Sequence, residues 1–420
     1  MTASEIRALF AVANRPEVVS LAGGMPYISA LPLDAVGEVI GELVARSGAT
    51  ALQYGLGQGM PELREQICAL MADVGIDASV GASPEDVVVT IGGQQALDLI
   101  ARLFLDPGDV ILAEGPTYVG ALGVFQAAQA EVVHVPMDHD GLIPAALETA
   151  IEEQRRLGRR VKFLYTIPTY QNPAGVTLSE ERREQVLDIC ERAGLLVIED
   201  DPYGRLGFEG EAPRPLRARR RDGVFYLSTF SKTFAPGLRV GWILAPHAVR
   251  DKLVITTEAN ILCPSNFAQS VVSTYLSTMP WRQQLKTYQQ IYAERRDTML
   301  SALADLMPEG TTWTRPAGGL FVWATLPEGL DSKAMVPRAI AARVAYVPGT
   351  GFYADGTGRQ HLRLNFSFPS PERIREGVRR LAGVVEQELA LRAVFADAGS
   401  LDSASGPQRP GAHAPGPDLA

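Results

Sequence analysis

Cysteine is scarce. The 420 residues hold three, Cys68, Cys190 and Cys263, odd in number and far apart. That excludes a disulfide framework and a cysteine-based zinc site, and it suits a reducing cytosol. The five histidines suggest no metal centre: His139, His247, His361 and His413 lack ligand-like spacing, and His134 falls in an apolar, strand-like run. Long hydrophobic runs are missing. Stretches such as Leu195 to Ile198 fall far short of the roughly 18 residues a membrane span needs. Positive charge is not in excess: 39 Lys and Arg against 48 Asp and Glu leave a net −9. With no basic block, nucleic acid and anionic membranes are not expected partners. The opening Met-Thr-Ala-Ser-Glu-Ile-Arg lacks the charged-then-apolar layout of an export signal, so a cytoplasmic protein is expected. No internal repeat is visible.

What remains is ordinary globular composition, 46% hydrophobic and 21% charged. The length suits one large domain and a smaller one. From about Ser83 to Ala245, short apolar runs alternate with helical spacing. The runs are Val87–Thr90, Val110–Ala113, Val132–Pro136, Phe163–Ile167, Leu195–Glu199, Phe225–Ser228 and Val240–Leu244. Such alternation predicts an α/β fold with a mostly parallel sheet covered on both faces. Val36, Val39, Ile40, Leu43 and Val44 predict a helix after Asp34 as N-cap; Met60, Leu63, Ile67, Leu70 and Met71 predict another. A long helix from Pro280 to about Met307, strands near Gly319–Thr325 and Leu362–Phe368, and a helix from Pro371 to about Leu391 complete a smaller α+β domain built from both chain ends. The expected divisions are 1–45 (N-terminal helix and arm, part of the small domain), 46–280 (large domain), 281–395 (C-terminal small domain) and 396–420. From Asp397 the chain turns to Pro, Gly, Ala and Ser with no aromatic and two leucines, and is expected to be disordered.

Chemistry-bearing residues recur just after the apolar runs. Ser228-Thr-Phe-Ser-Lys232 sets a lysine beside hydroxyls, with Arg239 seven residues on. Such a lysine can form a Schiff base with an aldehyde, while Thr229, Ser231 and Arg239 hold a phosphate. Together they suggest pyridoxal phosphate. Alone, Lys232 reads as a surface lysine. Asp200, ending Val197-Ile-Glu-Asp200, can pair with a pyridinium nitrogen, and Tyr203 can hydrogen-bond a phenolic oxygen; alone they read as a turn. Asn172, in Asn-Pro-Ala-Gly, can donate to the same oxygen; alone it marks an Asn-Pro turn. Gly93 and Gln94 open a helix whose free N–H groups suit phosphate. Tyr118 can stack on a ring or simply fill the core. Five signals at successive strand ends outweigh each taken singly, because open α/β sheets bind ligands at that edge.

With these motifs in order, the chain resembles the class I/II aminotransferases of the fold-type-I pyridoxal-phosphate family, over roughly Ala3 to Leu391. Gly-Gly-Met-Pro, Tyr-Gly, Gly-Gln-Gln-Ala-Leu, Pro-x-Tyr, Asn-Pro-x-Gly, Asp-x-Pro-Tyr, Ser-Lys with its downstream Arg, and Arg-Leu-Asn-Phe follow the family's order. The resemblance implies pyridoxal 5′-phosphate on Lys232, with Asp200 at the ring nitrogen, Tyr203 and Asn172 at the ring oxygen, and Tyr118 stacked. It assigns Gly93, Gln94, Thr229, Ser231 and Arg239 to phosphate. Lys232, Asp200 and Tyr203 are thus the expected catalytic residues. Arg363 and Gly24 meet the substrate carboxylate beside Asn172. Tyr54 matches a tyrosine that reaches the neighbouring subunit's phosphate, which implies a homodimer with shared active sites.

The subgroup most similar is that of the 2-aminoadipate and kynurenine aminotransferases. Its mobile N-terminal helix is matched by Ser4–Phe10, which makes Arg7 a candidate for the substrate's distal carboxylate. Two residues depart from the subgroup: Gly93 stands where serine is usual, and Leu31 where phenylalanine is usual. The implied activity moves an amino group from an L-amino acid of 2-aminoadipate, aromatic or branched-chain type to a 2-oxo acid such as 2-oxoglutarate. Two alternatives stand beside it. One is a different pyridoxal-phosphate reaction, lyase or oxidase, since one constellation serves several reactions. The other is a regulator with an aminotransferase-like domain, whose winged helix would have no room ahead of Arg7 and Gly24.

Overall fold

In a computed structural model describing residues 15–404, an eight-stranded sheet forms the larger unit. Its strands are β2 (Val87–Thr90), β3 (Val110–Gly115), β4 (Glu131–Asp138), β5 (Gly141–Leu142), β6 (Val161–Thr166), β7 (Leu196–Asp200), β8 (Val224–Thr229) and β9 (Gly241–Leu244). The order is β2-β9-β8-β7-β6-β3-β4-β5. Pairings from β4 through β3, β6 and β7 to β8 are parallel; β9 runs antiparallel to both β8 and β2. So β2, β3, β6, β7 and β8 all end at one edge. These strands are mostly apolar along their length because helices cover both faces. Val88, Ile111, Leu112, Leu164 and Ile198 are fully buried, each worth roughly 1.5–3 kcal/mol.

The helices follow their sequence signals. The first, α1 (Leu33–Ala51), starts one residue before the expected cap: Pro32 is the N-cap, and Asp34 lies in the first turn, where a carboxylate favours the helix dipole. It also runs across the expected 45/46 division and packs on α8 (Asn266–Thr278) of the large unit. In between come α2 (Pro61–Ala72), α3 (Gly93–Phe104), α4 (Val119–Ala127), α5 (Pro144–Arg156), α6 (Glu180–Ala193) and α7 (His247–Ile261). For α6, Ser179 accepts the N–H of Arg182 at the start and Gly194 turns left-handed at the end.

The smaller unit has an antiparallel sheet, β10 (Thr312–Trp313), β11 (Phe321–Thr325), β14 (His361–Asn365) and β13 (Val347–Pro348), backed by α9 (Trp281–Leu306) and α11 (Pro371–Ala404). A short helix, α10 (Val336–Ala341), leads into β12 (Val344–Ala345), which pairs in parallel with β1 (Val19–Ser20). The N-terminal strand therefore closes on the C-terminal half. α11 continues to Ala404, past both the expected end near Leu391 and the expected start of disorder at 396. Its extension is rich in Ala, and the first proline after Ala404 is Pro407. Arg7 and residues 405–420 lie outside the described residues. Among the described residues no helix is long and apolar enough to cross a membrane, and no group of His, Cys, Asp and Glu could hold a metal.

Candidate active site

The shared strand edge faces the smaller unit across a cavity of about 600 Å³. Gly24, Gly93, Gln94, Tyr118, Asn172, Asp200, Tyr203, Thr229, Ser231, Lys232, Arg239 and Arg363 all line it. Most of them come from successive strand ends: α3's start follows β2, Tyr118 follows β3, Asn172 follows β6, Tyr203 follows β7 and Lys232 follows β8.

Lys232 is half-buried, and its Nζ donates to the carbonyl of Gly24 at 2.7 Å. Burial first, then the charges of Arg363 and Arg239, pull its ammonium down to about 8. Beside it, the Thr229 hydroxyl donates to Ser231 Oγ (2.9 Å) or to the Val240 carbonyl (3.0 Å). The Arg239 guanidinium donates to Ser231 Oγ (3.2 Å) and to the Ile91 carbonyl (3.1 Å). Gly92 caps α3 at φ +92°, and a Cβ there would come within 2.4 Å of that guanidinium. The N–H groups of Gly93 and Gln94, first in α3, have no acceptor within the helix. The Gln94 side chain is engaged with the Gly120 carbonyl (2.8 Å) and the Tyr118 hydroxyl (3.2 Å), so its backbone is what it offers the cavity.

Asp200 ends β7 with 6% exposure. Burial raises its carboxyl to about 7 against the hydroxyl of Tyr165, which donates to Oδ2 at 2.8 Å. Arg363, in β14 opposite Trp323 and Val347, is 3% exposed. It donates to Asn172 Oδ1 (2.9 Å) and the Ala22 carbonyl (3.0 Å), and lies over the rings of Phe321 and Phe352 at 4.1 and 5.0 Å. Burial lowers it to about 10. Its buried Nε has no partner among the described residues. Asn172 Nδ2 in turn donates to the Tyr203 hydroxyl at 3.4 Å.

Residues 16–381 match the "Aminotransferase class I and II" family. The chain belongs to this family. It is 43% identical to aromatic-amino-acid aminotransferase 1 of Thermococcus litoralis, over 93% of each chain. It is 36% identical to the 2-aminoadipate transaminase of Thermus thermophilus, over 93% of this chain and 95% of that one. The kynurenine aminotransferase of Pyrococcus horikoshii, solved with PMP, superposes with a TM-score of 0.87 at 40% identity, over 93% and 96% of the two chains. This aminotransferase therefore has the fold-type-I architecture that its motif order implied.

One expected site residue does not line the cavity, and one lies outside the described residues. Tyr54 is 78% exposed and lines no part of it, while Arg7 lies outside the described residues. Conversely, Val119 and Phe321 line the cavity without a sequence signal of their own. Nothing in a lone sequence separates Phe321 from any other strand aromatic; its place on Arg363 needs the β11–β14 register. Tyr165 and Glu114 also escape the motif pattern. A hydroxyl inside an apolar run, Tyr165 within Phe163–Ile167, and an acid just past one, Glu114 after Val110–Ala113, were the available signals.

Proposed function

We propose that this aminotransferase holds pyridoxal 5′-phosphate in the cavity and moves the amino group of an L-amino acid, of 2-aminoadipate, aromatic or branched-chain type, to a 2-oxo acid such as 2-oxoglutarate. The observation that carries the reading is a half-buried Lys232 set between two anion-receptive sites: Thr229, Ser231 and Arg239 on one side, and buried Arg363 on the other. The residues fit the cofactor. The side-chain-free Gly92 admits the Arg239 guanidinium beside Ser231, and the two leading N–H groups of α3 complete a cradle for a dianion.

When bound, pyridoxal phosphate supplies an aldehyde and a cationic ring that withdraws electrons from the substrate's α-carbon. The chain's own residues do the rest. Lys232 would take the α-proton and return it to the carbon on the far side of the substrate nitrogen, as base then acid, a role worth typically ~10²–10⁴-fold. Burial suits it, since a lysine lowered to about 8 has a neutral fraction near neutral pH. Asp200 holds the ring nitrogen. Tyr203 and Asn172 hold the ring oxygen, Tyr118 covers the ring face, and Gly93, Gln94, Thr229, Ser231 and Arg239 hold phosphate. Arg363 grips the α-carboxylate as a planar fork, oriented by Asn172 and Ala22, with Gly24 alongside.

The working unit is a homodimer in which Tyr54 reaches the partner's phosphate. Its exposure supports this, together with the exposed Leu52, Leu56 and Leu262 nearby, where Gly55 and Gly57 sit against Asn266 and Glu258. Arg7 receives a distal carboxylate when the substrate has one. A panel of L-amino acids with 2-oxoglutarate, read as glutamate formed, tests the reading. Glutamate should appear with 2-aminoadipate, aromatic or branched-chain donors; ammonia release without glutamate would instead indicate another class of reaction.

A further inference from the structure

The buried network behind the cavity contains a phenol that the proposed mechanism does not use. Tyr165 lies on β6, paired with Ala113 of β3 and Ile198 of β7, and it is fully buried. Its ring packs edge-on against Phe125 of α4, centroids 5.5 Å apart. Its hydroxyl donates to Asp200 Oδ2 at 2.8 Å. We propose that Tyr165 is a positioning residue: it fixes Asp200 through Oδ2, turns the second oxygen to the cavity, and keeps the carboxylate ionised for a cationic ring. This rests on the reading of Asp200 as the ring-nitrogen partner.

The surroundings make such a donor necessary. Burial opposes the charge on Asp200, and Asp201 at the end of its own strand and Glu114 at the end of β3 oppose it further. Tyr118, leading into α4, and Tyr203, in the turn after β7, are the other titratable groups that feel it. Of these neighbours, Tyr165 is the one that hydrogen-bonds the carboxylate. Burial, and then the charge of Asp200, push the phenol well above its ordinary value, so it remains a donor throughout the working pH range.

The test measures cofactor affinity, not turnover alone. Purified protein is freed of cofactor, and dissociation constants are measured from pH 6 to 9. Two probes are used: pyridoxal phosphate, and its carbocyclic analogue with CH in place of the ring nitrogen. Tyr165→Phe keeps the packing against Phe125 and removes the hydroxyl. Losing a hydrogen bond to a charged group moves Asp200 up by about one pH unit. The variant should therefore bind pyridoxal phosphate about tenfold more weakly than wild type at pH 6, the gap closing by pH 9. The carbocyclic analogue should show no such loss. Site-specific 3,5-difluorotyrosine at position 165, similar in shape with a more acidic hydroxyl, should move the acid limb the opposite way. It supplies the answer even if Tyr165→Phe folds poorly. Equal weakening of both probes, or an unmoved acid limb, would make Tyr165 a packing residue only and overturn the inference. Asp200→Asn separates this from the underlying reading. If that variant still preferred the nitrogen-bearing probe, the role of Asp200 would itself be wrong.

Discussion

Asp200 and Asp201 are neighbours in sequence and face opposite sides of the sheet. Asp200 turns to the cavity, with Lys232, Asn172 and Arg363. Asp201 turns to the rear, where the Tyr226 hydroxyl (2.8 Å) and the Gly204 N–H (2.9 Å) donate to its two oxygens. Glu199, two residues back and so on the same rear side, accepts the N–H groups of Leu216 and Arg217, each at 2.8 Å. All three carboxyls are raised by burial. The difference is in their partners. The rear acids are used up by the protein's own backbone and phenols, tying the loops of 204–217 to β7. The front acid keeps an oxygen for something else. A strand period of two thus places a structural acid and a chemical one side by side.

The strongest way to break this contrast is at the front. Lys232→Ala should abolish transamination, a loss of at least ~10²-fold, and remove the visible absorbance of lysine-bound cofactor, while the melting temperature measured without cofactor barely moves. Full turnover by this variant would end the assignment.

Next comes the pair itself. Asp200→Ala should slow the amino-acid half-reaction by orders of magnitude in single-turnover measurements, with Asp200→Glu milder. Asp201→Ala should retain most of the rate and lower thermal stability, because it strands the buried hydroxyl of Tyr226 and the N–H of Gly204. If the damage to the rate followed Asp201 instead, the two faces would have been assigned the wrong way round.

Arg363→Lys tests the far wall of the cavity. A lysine keeps the charge and loses the fork that Asn172 and Ala22 orient. KM for the amino acid should rise about tenfold or more with a smaller change in kcat. An unchanged KM would remove Arg363 from the carboxylate site.

How much of this was legible beforehand follows the same division. The front residues stood out because their types suit one chemistry and each sits just past an apolar run whose end could be read: Lys232 after Ser228, Asn172 after Ile167, Asp200 after Ile198. The sheet could be read from those runs because a strand covered on both faces has few polar interruptions. What stayed hidden depends on register or on distant contacts. Phe321 meets Arg363 only through the pairing of β11 and β14, and α1 joins the large unit only through its packing on α8. Its helical face of Val36, Val39 and Ile40 gave the period correctly, but a period does not name the surface it covers.

The smallest expected effect belongs to the rear and concerns pH. Glu199 is raised from 4.5 to about 7, burial outweighing Arg183 and the N–H groups of Arg217 and Leu216. A carboxyl raised by folding binds its proton more tightly in the native state than in the unfolded one. Its favourable contribution is complete below about 4.5 and is lost as pH rises through about 7. Glu199→Gln cannot titrate, and its amide oxygen can accept from Leu216 or Arg217, though not from both in the carboxylate's geometry. The variant should therefore be less stable than wild type at pH 4.5, and the gap should narrow toward pH 7.5. The change across that window is roughly 3 kcal/mol at most, since each pH unit separating the folded and unfolded titrations contributes about 1.4 kcal/mol. Urea unfolding at closely spaced pH values measures it. A gap that stays constant across the window would show that Glu199 is already ionised in the folded protein at pH 4.5. The backbone donors would then be holding a charge and not a neutral acid.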